Sequence, residues 1–343
     1  MKNLFLKVLF CSLLFSAGIV IGGILPRDYR PVDPGGSTGI EPTVRYDQTA
    51  GSKWIPGFRI VRIKSKIDGK LGNAYFYGSE SGTPQPLVVS LHTWSGDYTQ
   101  HDPLALLSKS EDLSYIHPDF RGPNWTTDAC CSELVINDID DSIDYALEKG
   151  NVDPSRIYVI GVSGGGYATL AMFMKSRHKI RKFSAWAAIS DLSAWYEESS
   201  IRDNRYTKDI LACTGSEETS LNREEAKLRS PLCWETPPGR LDESELVIYA
   251  GVFDGIQGSV PITHSINFYN KVLSDLYPGS SESYVCEMEK AKLLEFRKPL
   301  GEFGIIGGRE ICLEKSHGNL RLIIFTGNHE MLPEFAFDNL LGN

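Results

Sequence analysis

No Cys-x-x-Cys or His-x-x-x-His spacing occurs in this chain, so the usual ligand pairs of a zinc or other transition-metal site are missing. There is no Lys/Arg-rich run, and the net charge is −9, which excludes an electrostatic footprint for nucleic acid. Internal repeats are absent, which excludes solenoids and propellers built within the chain. Low-complexity tracts are absent too, apart from one short stretch rich in proline and glycine. What remains is ordinary globular material: 41% hydrophobic and 23% charged residues in a chain of 343, enough for one large α/β domain or two smaller ones.

The N-terminus reads as a separate element. Lys2 and Lys7 flank the start of an uncharged apolar run from Val8 to Leu25, the pattern of an export signal, and residues 1–26 are expected to be a signal peptide or an uncleaved membrane anchor. Phe10 before Cys11 argues against lipidation. Residues 27–55, with Pro31, Pro34, Gly35, Gly36, Gly39 and Pro42, read as a linker. An exported location, periplasmic, secreted or anchored, is the expectation. It fits six further cysteines (Cys130, Cys131, Cys213, Cys233, Cys286, Cys312), of which some are expected to pair. Cys213 with Cys233 is the first choice, because both fall in one irregular stretch.

From residue 56 onward the pattern is that of a folded domain. Phe58–Ile63 and Ala74–Tyr77, turned by Asp68-Gly69, predict a β-hairpin. Leu87–Leu91, Ser114–His117, Ile157–Ile160, Phe183–Ile189, Leu246–Ala250 and Leu320–Phe325 are short apolar strands, with helical periodicity over Val135–Lys149 and Tyr167–Arg177. Strands that alternate with helices predict a mostly parallel, doubly wound α/β sheet. Two stretches break the alternation. One, about 192–245, is expected to be a lid; the other, about 284–312, is a second insertion.

Chemistry concentrates in Gly161-Val162-Ser163-Gly164-Gly165-Gly166, which follows a predicted strand and precedes a predicted helix. That context makes Gly-x-Ser-x-Gly a nucleophile elbow rather than a glycine-rich turn. A serine hydroxyl needs a base and a group to orient that base. Asp254 stands just after the strand Leu246–Ala250, and His329 just after the strand Leu320–Phe325. Both lie where open α/β sheets place their sites, and the order Ser, Asp, His suits the reaction. Asp191, which also ends a predicted strand, is the rival acid. His264 reads as the start of a helix and His317 as part of a polar turn, while His92, His101, His117 and His178 fall in the wrong places.

An acyl-transfer transition state carries an oxyanion that needs fixed N–H donors. The amide of Gly164 is one expected donor. The other comes from the loop His92-Thr93-Trp94, with Trp94 preferred over Thr93. Thr93, Arg121, Asn124 and Trp125 are candidate substrate contacts. Bracing of a loop by Arg121, through Asp119 or Glu133, is an equal alternative.

In these contexts Ser163, Asp254 and His329 resemble the triad of the α/β-hydrolase superfamily. The segments Leu91-His92-Thr93-Trp94, Asp119–Trp125, Asp153–Ile157, Arg229-Ser230-Pro231 and Gly258–Pro261 narrow the resemblance. It is to the catalytic domain of prolyl-oligopeptidase-like (S9-type) enzymes and to bacterial esterases close to them. The resemblance runs from about Ile60 to the C-terminus, and no propeller precedes it here. It implies an α/β-hydrolase fold over 56–343, no cofactor or metal, and a serine carboxylic-ester hydrolase working through an acyl-enzyme. The expected substrate is a small-molecule or polysaccharide ester. An S9-like peptidase is the alternative, for which Glu197-Glu198 is a candidate anchor of a peptide N-terminus. A binding protein on a hydrolase fold is the third reading.

Overall fold

The computed structural model describes Gly51 and residues 54–342, which fall within one compact unit, Glu41–Asn343. The expected signal or anchor, Cys11 and most of the linker lie outside the described residues. No helix among the described residues is long and apolar enough to cross a membrane.

The predicted hairpin forms as antiparallel β1 (Arg59–Lys64) and β2 (Leu71–Tyr77). Gly69 takes φ +75° in the turn between them. There follow β3 (Gln85–Leu91), α1 (Pro103–Ser110), β4 (Ser114–Pro118), α2 (Glu133–Lys149), β5 (Val152–Val162), α3 (Gly164–Lys175) and β6 (Lys182–Trp186). Next come α4 (Leu192–Ile201), α5 (Tyr206–Cys213), α6 (Arg223–Leu228), a 3-10 turn at Pro231–Cys233, α7 (Arg240–Glu243) and β7 (Glu245–Gly251). The chain closes with α8 (Thr263–Leu276), α9 (Glu287–Phe296), β8 (Ile305–Ile306), β9 (Arg309–His317), β10 (Leu320–Phe325) and α10 (Pro333–Leu341).

The strands form one sheet in the order β1-β2-β4-β3-β5-β6-β7-β10-β9-β8. The six central strands, from β4 to β10, run parallel, and both edges are antiparallel. Parallel strands need helical crossovers, and these cover both faces of the sheet, so the central strands read as continuous apolar runs. Alternate residues feed two cores. Val89, Val159 and Ile248 join one with Ile139 and Leu170; Val88, Tyr158, Val247 and Tyr249 join the other with Leu104 and Phe337. Pro154 sits inside β5, in a segment where the register with β3 jumps between Gln85 and Leu87, so its missing N–H breaks no ladder bond.

Two expectations change. Residues 192–245 are helical rather than irregular. Asp191 caps α4 by accepting from the amides of Ser193 (2.8 Å) and Ala194 (3.3 Å), and Leu192, Trp195 and Ser199 bury one face of the helix. That capping role also accounts for Asp191, the rival acid. Residues 284–312, expected as a second insertion, hold α9 first, and β9 then adds to the sheet beside β10. Lys315, Ser316 and His317, read as a polar turn, are in β9; the turn is one step later, at Gly318, with φ +56°. The polar residues of β9 masked a strand whose central residues Ile311, Cys312 and Leu313 are all buried.

The cysteine pairing is also corrected. Cys213 and Cys233 are both free thiols. Cys213 ends α5 pointing into the core, while Cys233 is exposed in the 3-10 turn, so the two do not face each other.

Candidate active site

The turn between β5 and α3 is closed by steric demand. A Cβ on Gly161 would strike the backbone of Gly165, one on Gly165 the carbonyl of Leu91, and one on Gly166 the carbonyl of Trp186. Only glycine fits at these three places, which lets β3, β5 and β6 crowd the start of α3. Ser163 stands at the apex with φ 60° and ψ −120°, a conformation that costs a non-glycine residue of order 1–3 kcal/mol. Its N–H donates to the carbonyl of Trp186 at 2.9 Å, which holds the strained residue in place. Ser163 is 6% exposed.

β7 and β10 are neighbours, so the loops after them meet. Asp254 Oδ2 lies 2.7 Å from His329 Nδ1, and Asp254 is buried. A carboxylate only accepts, so Nδ1 carries the proton and Nε2 is left as the basic nitrogen. The other carboxylate oxygen of Asp254 accepts from the amides of Gly255 (2.8 Å) and Val260 (3.0 Å). Gly258 packs against both partners: a Cβ there would strike Asp254 Oδ1 and His329 Cβ. The extra residues between Asp254 and Val260 thus wrap back over the Asp–His pair.

The loop after β3 resolves the choice between Thr93 and Trp94. The Thr93 amide donates to Gln100 Oε1 at 2.8 Å, and its hydroxyl accepts from Gln100 Nε2 at 2.9 Å. Thr93 is therefore held by Gln100 and buried, away from a substrate role. Its carbonyl accepts from the Gly96 amide at 3.1 Å and contacts His92 Nδ1 at 2.9 Å. Fixing that carbonyl fixes the peptide plane, so the Trp94 N–H points the opposite way. That amide packs against Gly164, where a Cβ would strike Trp94 N and Cα. Gly164 opens α3, so its own N–H lacks an intrahelical partner. The Trp94 backbone thus packs against Gly164, the residue after Ser163, which keeps both amides as the candidate oxyanion donors.

The Trp94 ring is packed rather than open. It meets Trp195 edge-on at 4.7 Å between centroids, and its Nε1 donates to Asp209 Oδ2 at 3.1 Å.

Arg121 and Asn124 leave the list of substrate contacts. The Arg121 side chain is 2% exposed and donates to Asp138 (2.5 Å) and Asp68 (2.7 Å). It braces its loop, through acids other than Asp119 or Glu133. Asn124 is buried; its amide donates to the Trp94 carbonyl at 2.8 Å, and its Oδ1 accepts from the Cys130 amide at 2.8 Å. Trp125 is 41% exposed. Glu197 pairs with Arg223 at 2.6 Å, and Glu198 Oε2 lies 3.0 Å from His264 Nε2.

Three residues that hold the site escaped the sequence reading: Gln100, Asp209 and Glu330. Glu330 is 0% exposed and accepts from the Asn328 amide at 3.0 Å, so it shapes the loop that carries His329. Its place beside His329 is the one signal that could have marked it. Gln100 and Asp209 carry no such signal, because their partners are distant in sequence or are backbone atoms.

Residues 110–237 match the model of the prolyl oligopeptidase family (Peptidase_S9), a span from just before β4 into the helical insertion, ending before α7. A curated protein of Salmonella typhi, the uncharacterized protein YfhR, is 27% identical over 107 residues, 30% of this chain and 37% of that protein. Among solved structures, acylaminoacyl peptidase of Pyrococcus horikoshii superposes with a TM-score of 0.51 at 20% identity, over 64% of this chain and 35% of that one. A puromycin-hydrolyzing peptidase of Mycobacterium tuberculosis gives 0.53 at 16% identity, over 83% and 39%. The chain thus spans little more than a third of the length of these relatives. It has the α/β-hydrolase fold and resembles the catalytic domain of the prolyl oligopeptidase family.

Proposed function

We propose that this prolyl-oligopeptidase-like α/β-hydrolase is an exported serine hydrolase that cleaves carboxylic esters through an acyl-enzyme. The observations that carry this reading are Ser163 at a strained elbow and, after parallel strands of the same sheet, the buried Asp254 at 2.7 Å from His329. Ser163 Oγ attacks the acyl carbon as His329 Nε2 takes its proton. Asp254 stabilises the imidazolium that forms and keeps the ring in the useful tautomer. The amides of Gly164 and Trp94 receive the oxyanion. His329 then protonates the leaving alcohol, and water, activated by the same nitrogen, releases the acid. The alcohol is a small molecule or an acylated carbohydrate, for which the exposed ring of Trp125 is the stacking surface that remains.

The peptidase reading is supported by the superposed acylaminoacyl peptidase and puromycin-hydrolyzing peptidase. Against an enzyme that anchors a peptide amine on Glu197-Glu198 stands the pairing of both carboxylates. A panel of p-nitrophenyl acetate, a feruloyl ester and a dipeptidyl p-nitroanilide decides the matter. Ester turnover with a burst of one equivalent of p-nitrophenol is expected, and Ser163→Ala should abolish it. Turnover of the anilide alone would establish the peptidase reading. No turnover of any substrate, or a fully active Ser163→Ala, would overturn both.

A further inference from the structure

The sulfur atoms of Cys130 and Cys213 lie 2.7 Å apart, although 83 positions separate them in the chain. That is inside the contact distance of two thiols and about 0.7 Å beyond a covalent S–S bond. Both residues are buried.

The surroundings fix the pair. Cys130 and Cys131 take φ 57° and 51°, two successive left-handed residues that turn the chain sharply before α2. The Arg229 guanidinium donates to the carbonyls of Ala129 (2.7 Å) and Thr127 (2.8 Å), and the Tyr167 hydroxyl contacts the Cys130 carbonyl at 3.1 Å. Cys213 ends α5, one turn after Asp209.

We propose that Cys130 and Cys213 are a disulfide-forming pair that fastens the inserted helix α5 to the loop before α2. Both ends then connect to Trp94. Asp209 on α5 accepts from its ring N–H, and Asn124, which holds the Cys130 amide, donates to its carbonyl. The bond forms by exchange with a small disulfide such as oxidised glutathione. One protein thiolate attacks a sulfur of that oxidant and expels a thiolate. The second protein thiolate attacks the mixed disulfide at the protein sulfur and expels the other. Each cysteine loses a proton and an electron, and the oxidant becomes two thiols. Burial pushes the Cys213 thiol well above its ordinary value, so the reactive thiolate belongs to the folding chain, before α5 docks. Cys131, buried beside Tyr167, and the exposed Cys233 are the competing thiols.

The pairing does not depend on the hydrolase reading. The test refolds the full chain in a buffer of reduced and oxidised glutathione, alkylates it, and maps it by mass spectrometry without reduction. The expected product joins the peptide of Cys130 to that of Cys213 with the loss of two hydrogens, and persists in Cys131→Ser. Alkylation of both residues in the oxidised protein, or a link from Cys213 to Cys131 or Cys233, would overturn it. The oxidised form should melt roughly 5 °C above the reduced one, and Cys213→Ser should erase that gap. An equal Tm for the two wild-type forms would refute the fastening role. Mapping needs only the wild-type chain, so a variant that fails to fold leaves the test intact.

Discussion

The indole N–H of Trp94 donates to the carboxylate of Asp209 across 115 positions of sequence, at 3.1 Å. This bond ties the loop after β3, whose backbone packs against Gly164 next to Ser163, to helix α5 of the insertion. Burial pushes the Asp209 carboxyl up, and the indole bond opposes that shift. Asp209→Ala and Trp94→Phe should each lower kcat/KM for p-nitrophenyl acetate by about tenfold, since the first strands a buried indole N–H and the second a half-buried carboxylate. The double variant should lose little more than either single one. Full additivity in that double-mutant cycle would show that the bond does not couple the two elements.

The triad predicts a graded series. Ser163→Ala and His329→Ala should each reduce kcat by roughly 10⁵–10⁶, and Asp254→Asn by about 10⁴, because Asn stabilises the wrong imidazole tautomer. Steady-state kinetics with KM measured alongside provides the check. A loss confined to KM would remove these residues from the chemical step.

Arg121 should matter for stability and not for catalysis. Its guanidinium is held between Asp68 and Asp138 with almost no exposure. Arg121→Met removes the cation shared by Asp68 and Asp138 and should lower the midpoint of urea unfolding at constant m. KM of the folded fraction should not move. An unchanged midpoint with a raised KM would restore Arg121 to substrate binding.

Gly165→Ala should unfold the elbow, because the added methyl meets the Leu91 carbonyl with backbone on every side. A loss of about 3 kcal/mol or more is expected, read as a shift in the denaturation midpoint at constant m. A stable, active Gly165→Ala would mean that β3 and α3 can part without cost.

Asp112 gives a pH dependence. It accepts from the Glu80 amide at 2.9 Å and the Tyr77 hydroxyl at 2.7 Å, which hold its carboxyl below the ordinary aspartate value. A lowered folded value means that the stabilisation is complete above the ordinary carboxylate range. It is lost as pH falls through the lowered one. Wild type should therefore melt above Asp112→Asn at pH 7, and the gap should close on acidification toward pH 2. A gap that stays constant with pH would refute the assignment.

Much of the fold was legible because its period is strong. The central strands are short, apolar and bounded by glycine or polar residues, and Gly161-Val162-Ser163-Gly164-Gly165 has few geometries open to it. The helices of 192–245 were not legible. They are short, amphipathic only by virtue of what packs on them, and capped by residues such as Asp191 that also suit a turn or an active site. β9 was hidden for a related reason: only Ile311, Cys312 and Leu313 at its centre are buried, so the polar residues around them read as loop.

Sequence alone determined the nucleophile candidate, the order of its partners and the layering of the sheet. These follow from local steric demand and from periodicity, and both are written along the chain. Tertiary structure decided which amide of Thr93 and Trp94 is available, because Gln100 engages one of them. It decided that Arg121 is a brace, because Asp68 and Asp138 come from elements far from it in sequence. It also set Cys213 against Cys130 and not Cys233, since only the docking of α5 fixes which way that side chain faces. Choices among chemically equal residues depend on long-range contacts, and those exist only once the chain has folded.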